Sequence, residues 1–286
     1  MSNTIQSNSF HFSSETISLI KYHIGSTFVI KYGGSVMKND IMQYNIIQDI
    51  SLLHVLGIKV ILVHGGGYMI DRWLKKLNIN SRFENGIRIT DSETVEVVEM
   101  VLSGKINKKL VSLFNTIDVK ALGLSGKDSN LVTALPISSK VGSFTGKVHH
   151  VNTNVLNILL SSGFLPVISS VASDTFGQTY NINADTLASS IAASLQADKY
   201  IMITDTPGIL IDVNNPDTLV KKLNSCKAKK LKSDGLISGG MIPKLDSCLY
   251  SLNNNVKSAH IIDGKIRYSL LRELFTKDRV GSIIVL

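Results

Sequence analysis

Cysteine is almost missing from this chain of 286 residues: Cys226 and Cys248 stand apart, neither in a close pair nor beside a cluster of histidines. A disulfide framework or a zinc site needs such spacing, so two reduced cysteines and no bound metal are expected. Long hydrophobic runs are also missing. No apolar stretch approaches the roughly 20 residues that a membrane span requires, and Met1 to Ser14 has neither a basic start nor a secretory apolar core. The expectation is a soluble protein that is not exported and contacts no membrane. Several catalytic patterns are absent too: the Walker loop, the H-R-D and D-F-G pair, the G-x-S-x-G elbow, and G-x-G-x-x-G behind a strand. Hydride transfer, acyl transfer and the commoner nucleotide folds therefore lose ground. The formal charge is +8, but the densest basic stretch, Lys221 to Lys232, has no interleaved aromatics. That argues against nucleic acid and for a solvated face near an acidic cosubstrate.

What is present suits a large α/β core, as one domain or as two lobes: 44% of residues are hydrophobic and 18% charged. Isoleucine, asparagine and lysine stand where valine, alanine and arginine would serve equally well, a bias typical of AT-rich coding that leaves mechanism untouched. Two glycine turns each follow an apolar run: Val29-Ile30-Lys31-Tyr32-Gly33-Gly34-Ser35 and Val60-Ile61-Leu62-Val63-His64-Gly65-Gly66-Gly67. Continuous β-branched runs are how buried parallel strands read, and a glycine turn behind one exposes amides at the start of the next helix. Anions bind there.

The alternation of elements predicts an amphipathic helix over Ser14 to Tyr22, capped by Ser13 or Ser14, after a polar segment at 1–13. Its apolar stripe needs a cover, for which a neighbouring subunit would serve. Helices are further expected over Asp40 to Leu56, Gly67 to Leu77, Ser92 to Leu113, Asn152 to Ser161 and Asn183 to Leu195, with another after Gly240. Buried strands are expected at Ala121 to Leu124, Leu165 to Ser169, Tyr200 to Thr204, His260 to Ile262 and Ser282 to Val285, and a hairpin from Leu131 to Pro136 and Gly146 to Val151. No internal repeat separates the chain, so two lobes on one continuous sheet, meeting near residue 182, are expected.

Each candidate site residue has a plain reading beside a chemical one. Lys31 before Gly33 and Gly34 is a solvated lysine at a tight turn, or a point charge beside bare amides, as phosphoryl transfer requires. Three consecutive glycines are costly as a merely flexible loop, roughly 0.5–1 kcal/mol each, which favours a ligand at Gly65 to Gly67. His64 reads as structural. Arg88 either pairs with Asp91 or Glu93, or offers its planar fork to a carboxylate. Thr90 or Asp91 caps the next helix. Asn183 caps another, with Asp185 in its first turn, and Asn181 lies on the same side as Asn183; Asp185 could also hold lysine ammonium groups in place. Lys244, just after Gly239 and Gly240, reads alone as a solvated lysine.

In register, VIKYGGS, VHGGG, NGIRITD, GLSGKDSN, QTYNINADTLA, ITDTPGIL, GGMIPK and HIIDG resemble the acetylglutamate kinases of the amino acid kinase superfamily from about Thr27 onward. The resemblance implies a three-layer αβα sandwich with a mostly parallel central sheet, and ATP-dependent phosphorylation of the γ-carboxylate of N-acetyl-L-glutamate, the second step of arginine biosynthesis. It implies that Lys31 and Lys244 stabilise transition-state charge, that Asp185 orients both, and that Gly66, Gly67, Arg88 and Asn181 contact the acyl-amino acid. ATP, carried as its Mg²⁺ complex, would lie at Gly33, Gly34, Thr204, Asp205, Gly208, Gly240 and Met241. The implied division is an oligomerisation extension at 1–24, a lobe binding acetylglutamate at 25–182 and a lobe binding ATP at 183–286. The bottom-up chemistry agrees: a carboxylate is already an ionised nucleophile, so no general base is needed, and the barrier lies in bringing two anions together.

The helix ahead of the first strand resembles the extension that interlaces dimers into hexamers in arginine-inhibited members, and His260 and Glu273 match their arginine site. Leu19 stands where those members usually have tyrosine, and Arg279 where a glycine is common. Alternatives are a related kinase for aspartate, glutamate, carbamate or UMP, and a non-catalytic sensor of arginine or of a PII-type signalling protein. A PII-type partner is also compatible with activity. Plastid stroma is the favoured compartment, with cytoplasm as the alternative.

Overall fold

The computed structural model describes residues 13–34, 36–84, 87–138 and 142–286. Most of the polar segment expected at 1–13, together with Ser35, Asn85 and Gly86 of the sequence motifs, lies outside the described residues. In chain order the strands are β1 Thr27–Tyr32, β2 Lys59–His64, β3 Arg82–Glu84, β4 Ile87–Ile89, β5 Ala121–Ser125, β6 Val132–Pro136, β7 Thr145–Val151, β8 Leu165–Ser169, β9 Val171–Ser173, β10 Thr179–Ile182, β11 Lys199–Thr204, β12 Lys222–Asn224, β13 Ser258–Asp263 and β14 Ser282–Val285. The α-helices are α1 Ser14–His23, α2 Asp40–Val55, α3 Gly67–Lys76, α4 Ser92–Glu99, α5 Asn107–Asn115, α6 Asn154–Ser161, α7 Ala184–Ser194, α8 Ser225–Ser233, α9 Met241–Asn253 and α10 Ser269–Phe275.

Eight strands form the central sheet in the order β12-β14-β13-β11-β1-β2-β8-β5. All neighbours in it are parallel except the pair β13 and β14. The strands at its centre are buried on both faces, which is why they read as continuous apolar runs. Alternate side chains feed two cores. Phe28, Ile30 and Tyr32 join residues of α2, α3, α5 and α10 on one face, whereas Val29, Ile61 and Met202 join those of α7 and α9 on the other. Each core draws on both sides of residue 182, so one continuous three-layer αβα sandwich results. Strands β6, β7, β9 and β10 close a small barrel beside it, and β3 and β4 form a separate hairpin.

The helix expected over Ser92 to Leu113 is α4 and α5 joined by a π-helical segment, Met100–Ile106. Such wide turns recur at functional sites, and hydrophobic periodicity does not reveal one. Helix α1 is capped by Ser13, whose side chain accepts from Thr16 N. Its cover is its own chain: Thr16 Oγ1 donates to Phe275 O and Ile20 is buried, while Ile17, Tyr22 and Ile24 stay exposed.

Candidate active site

Strand order reverses at β1, which has β2 on one side and β11 on the other, with Tyr32 opposite both His64 and Ile203. Ligands of open α/β sheets bind outside the carboxyl ends of strands at such a switch point. Both glycine turns leave the sheet there. They face each other closely: a Cβ on Gly34 would lie 3.6 Å from Gly67 N. Gly33 is the exception among the predicted donors, because its amide donates to Ile203 O at 3.0 Å. That corrects the expectation of a free amide at Gly33 and leaves Gly34, Gly66 and Gly67, which line a cavity of about 230 Å³.

Lys31 projects from the end of β1 into this cavity and lies 2.7 Å from Asp185 Oδ1, each side chain being 11% exposed. The contact is an ion pair between two nearly enclosed groups. Asp185 stands in the first turn of α7, behind the cap Asn183, whose Oδ1 accepts from Asp185 N and Thr186 N. The plain capping reading holds, and the carboxylate also pairs with one lysine ammonium, that of Lys31.

On the opposite wall Arg88 is buried, and its partner is not Asp91 or Glu93. Nη1 lies 2.8 Å from Asp71 Oδ1 and donates to Ser81 Oγ, Nη2 donates to Gly67 O at 3.3 Å, and the guanidinium stacks 4.6 Å from the centroid of Phe83. Burial pushes Asp71 up, but hydrogen bonds from Arg88 and Ser81 outweigh it and hold the carboxyl below its ordinary range. Asp91 instead caps α4, accepting from Thr94 N. The Arg88 backbone is pinned as well: Thr90 Oγ1 and Thr145 Oγ1 both donate to its carbonyl, and Asn181 Nδ2 donates to Thr90 Oγ1 at 3.1 Å. Sequence reading missed Thr145 and Phe83 because contacts between remote segments leave no local pattern.

Gly66 is required by its neighbours. A Cβ there would fall 2.1 Å from Ile106 Cδ1 and 2.8 Å from Leu102 Cδ2, both on the π-helical segment. His64 is structural, as its sequence position suggested. Its Nδ1–H donates to Gly65 O, Nε2 accepts from Asn107 Nδ2, and burial lowers its pKa to about 4, keeping the ring neutral.

A second cavity of about 420 Å³ adjoins the end of β11. Asp205, Gly208, Gly240, Met241 and Lys244 line it, with apolar walls from Leu210, Leu236 and Ile237. Thr204 is buried behind it and donates to Asp205 Oδ1 at 3.2 Å. Gly208 has φ +146°, and a Cβ on it would meet Ser282 Oγ at 2.5 Å, so the turn admits glycine alone. Thr206 Oγ1, also at this cavity, is buried without a partner. Lys244 Nζ donates to Gly240 O at 3.3 Å; Asp185 therefore pairs with Lys31 and not with Lys244. Leu210, Leu236 and Ile237 went unnoticed in the sequence because isolated apolar residues in loops carry no local pattern.

His260 and Glu273 lie apart from both cavities. His260 Nδ1–H donates to Glu273 Oε1 at 2.9 Å, and both side chains are wholly buried. Burial lowers His260 to about 4. Burial alone would raise Glu273, but bonds from His260 and the Gly281 amide, with the Arg279 charge, hold it below its ordinary value. Arg279 Nη1 lies 3.2 Å from Oε1.

No histidine or thiol lines either cavity, while Lys31, Arg88 and Lys244 supply fixed positive charge, with glycine amides nearby. Such an arrangement can hold two anions against each other, as a phosphotransferase must. The chain belongs to the amino acid kinase family, whose sequence pattern matches residues 26–263, and within it stands with the acetylglutamate kinases. It is 52% identical over 274 residues to the acetylglutamate kinase of Gracilaria tenuistipitata var. liui, covering 96% of each chain. With that of Thermosynechococcus vestitus it shares 48% identity, covering 95% of this chain and 92% of the other. Among solved structures, N-acetylglutamate synthase from Neisseria gonorrhoeae, complexed with coenzyme A and N-acetyl-glutamate, is similar with a TM-score of 0.84 at 25% identity. The match covers 95% of this chain and 62% of the synthase chain.

Proposed function

We infer that the chain transfers the γ-phosphoryl group of ATP to the γ-carboxylate of N-acetyl-L-glutamate, as its acetylglutamate kinase relatives are named to do. The observation that carries this reading is the meeting of Lys31, Asp185, Arg88 and Asn181 around one small cavity between two glycine turns. There the planar fork of Arg88 suits the α-carboxylate, Asn181 the acylated amino group, and the glycine amides at the start of α3 the developing charge. The apolar cavity beside Lys244 suits the adenine end of ATP, and the orphaned hydroxyl of Thr206 would gain a partner from the nucleotide. Among the described residues no group of three or more His, Cys, Asp or Glu side chains could hold a metal ion. Mg²⁺ would enter as part of the nucleotide substrate, where it neutralises phosphate charge.

The test is an ATP-dependent assay with N-acetylglutamate, with free glutamate, aspartate, carbamate and UMP as controls. Turnover of free glutamate at the same rate would overturn the acceptor assignment. Arg88→Lys is expected to raise KM for the acceptor, because bidentate binding is lost.

The exposed Ile17 and Tyr22 of α1, with Ile24 at its C-cap, support assembly of dimers into a hexamer through this helix. For arginine, the supported reading is a weakened response at His260 and Glu273, since an incoming guanidinium would have to displace Arg279 from Glu273. A PII-type protein stays a candidate partner, tested by pull-down with and without ATP. No helix among the described residues is long and apolar enough to cross a membrane. The AT-rich coding bias and a red algal relative favour the plastid stroma over the cytoplasm.

A further inference from the structure

The loop behind β5 carries more internal constraint than a connection needs. Ser125 N and Oγ both donate to Asp128 Oδ2, and Gly126 N donates to Val171 O at 2.6 Å. A Cβ on Gly126 would meet Ala172 Cβ and Val171 O, each at 2.7 Å, so the loop lies flat on β9. Ser129 and Asn130 have φ of +54° and +50°, two successive non-glycine residues in the left-handed region. Such strain persists where the surroundings over-determine it. The same loop carries Lys127. Its Nζ lies 2.7 Å from Glu99 Oε1 and 3.0 Å from Thr179 Oγ1, and Thr179 Oγ1 donates to Glu99 Oε2 at 3.2 Å.

This closed triangle ties α4 to β10, two packed elements that each lead into residues lining the acceptor cavity. Glu99 ends α4 and is followed at once by the π-helical segment whose Leu102 and Ile106 press on Gly66. Thr179 opens β10, and two residues on, on the same face of the strand, stands Asn181. We propose that Lys127, Glu99 and Thr179 are positioning residues that set the spacing between Gly66 and Asn181, and so tune affinity for the N-acylated amino acid without touching it. The inference rests on the assignment of that cavity to N-acetylglutamate.

The test is steady-state kinetics on the full chain with both substrates varied, beside thermal melting. Lys127→Met and Glu99→Gln are each expected to raise KM for N-acetylglutamate by about tenfold. KM for ATP and kcat should stay within about twofold, since the nucleotide cavity shares no residue with the triangle. Lys127→Arg should restore most of the affinity. If Lys127→Met fails to fold, Thr179→Val, which keeps the strand and removes only the hydroxyl, is read in its place. An unchanged acceptor KM in a folded variant, with or without a lower melting temperature, overturns the brace. So does an equal rise in both KM values. Absence of N-acetylglutamate phosphorylation by the unsubstituted chain instead overturns the cavity's assignment, which separates the two failures.

Discussion

At the residue scale the two lysines proposed to stabilise transition-state charge stand in different surroundings. Lys31 is nearly enclosed and balances Asp185, whereas among the described residues the Lys244 ammonium meets a backbone carbonyl alone, at its cavity. Removing a preorganised positive charge from a developing oxyanion typically costs on the order of 10²–10³ in rate. Lys31→Ala and Lys244→Ala are therefore both expected to lose that much kcat. Stability should separate them: Lys31→Ala leaves a buried carboxylate unpaired, which costs about 3–5 kcal/mol, while Lys244→Ala should melt near the unsubstituted protein. Near-normal turnover in either variant, or equal melting of the two, would contradict this account. Arg88 makes a related point. Its identity as a buried cation was legible from its apolar neighbours, but its partner Asp71 lies 17 positions away on another element, beyond what local spacing conveys.

At the scale of elements, the facing of a glycine turn and a π-helical segment predicts that Gly66→Ala disturbs the acceptor cavity through Ile106 and Leu102. Kinetics should show a raised acceptor KM with little change in KM for ATP; no change in either would mean that the wall yields freely. A second element contact is the docking of α2 on α10. Asp49 of α2 is 2% exposed, and burial raises its pKa to about 7 against an ordinary 3.8, although it accepts from the Leu270 amide. A carboxyl with a raised folded pKa binds more protons folded than unfolded between pH 3.8 and 7. Its contribution is thus lost as pH rises through that window. Asp49→Asn removes the dependence, so the melting temperature of the variant minus that of the parent should climb between about pH 4 and 7. A flat difference would remove the claim. The helices with clear caps were legible in the sequence, as Asn183 and Asp91 show. The division of the Ser92 to Leu113 helix was not, because one inserted residue in a turn barely alters apolar spacing.

At the scale of the whole molecule, α1 bears on assembly. Since Ile20 and Thr16 already anchor it to its own chain, deleting the helix would expose the core beneath. Charging the outer face is the cleaner probe. Ile17→Lys with Tyr22→Ser is expected to reduce a hexamer to dimers by light scattering while leaving thermal stability within about 1 kcal/mol, as for surface changes. An unchanged mass would exclude α1 as the joint. The sequence by itself decided that the central strands are buried and mostly parallel and that two glycine turns leave them at strand ends, because buried strands and turn chemistry write themselves in neighbouring residues. Only the tertiary structure decided which groups meet: Lys31 with Asp185 rather than Lys244, Arg88 with Asp71, the Gly33 amide with β11, and Lys127 with Glu99 and Thr179. Such pairings join segments far apart in the chain. Strand order and packing set them, and neither leaves a mark in local spacing.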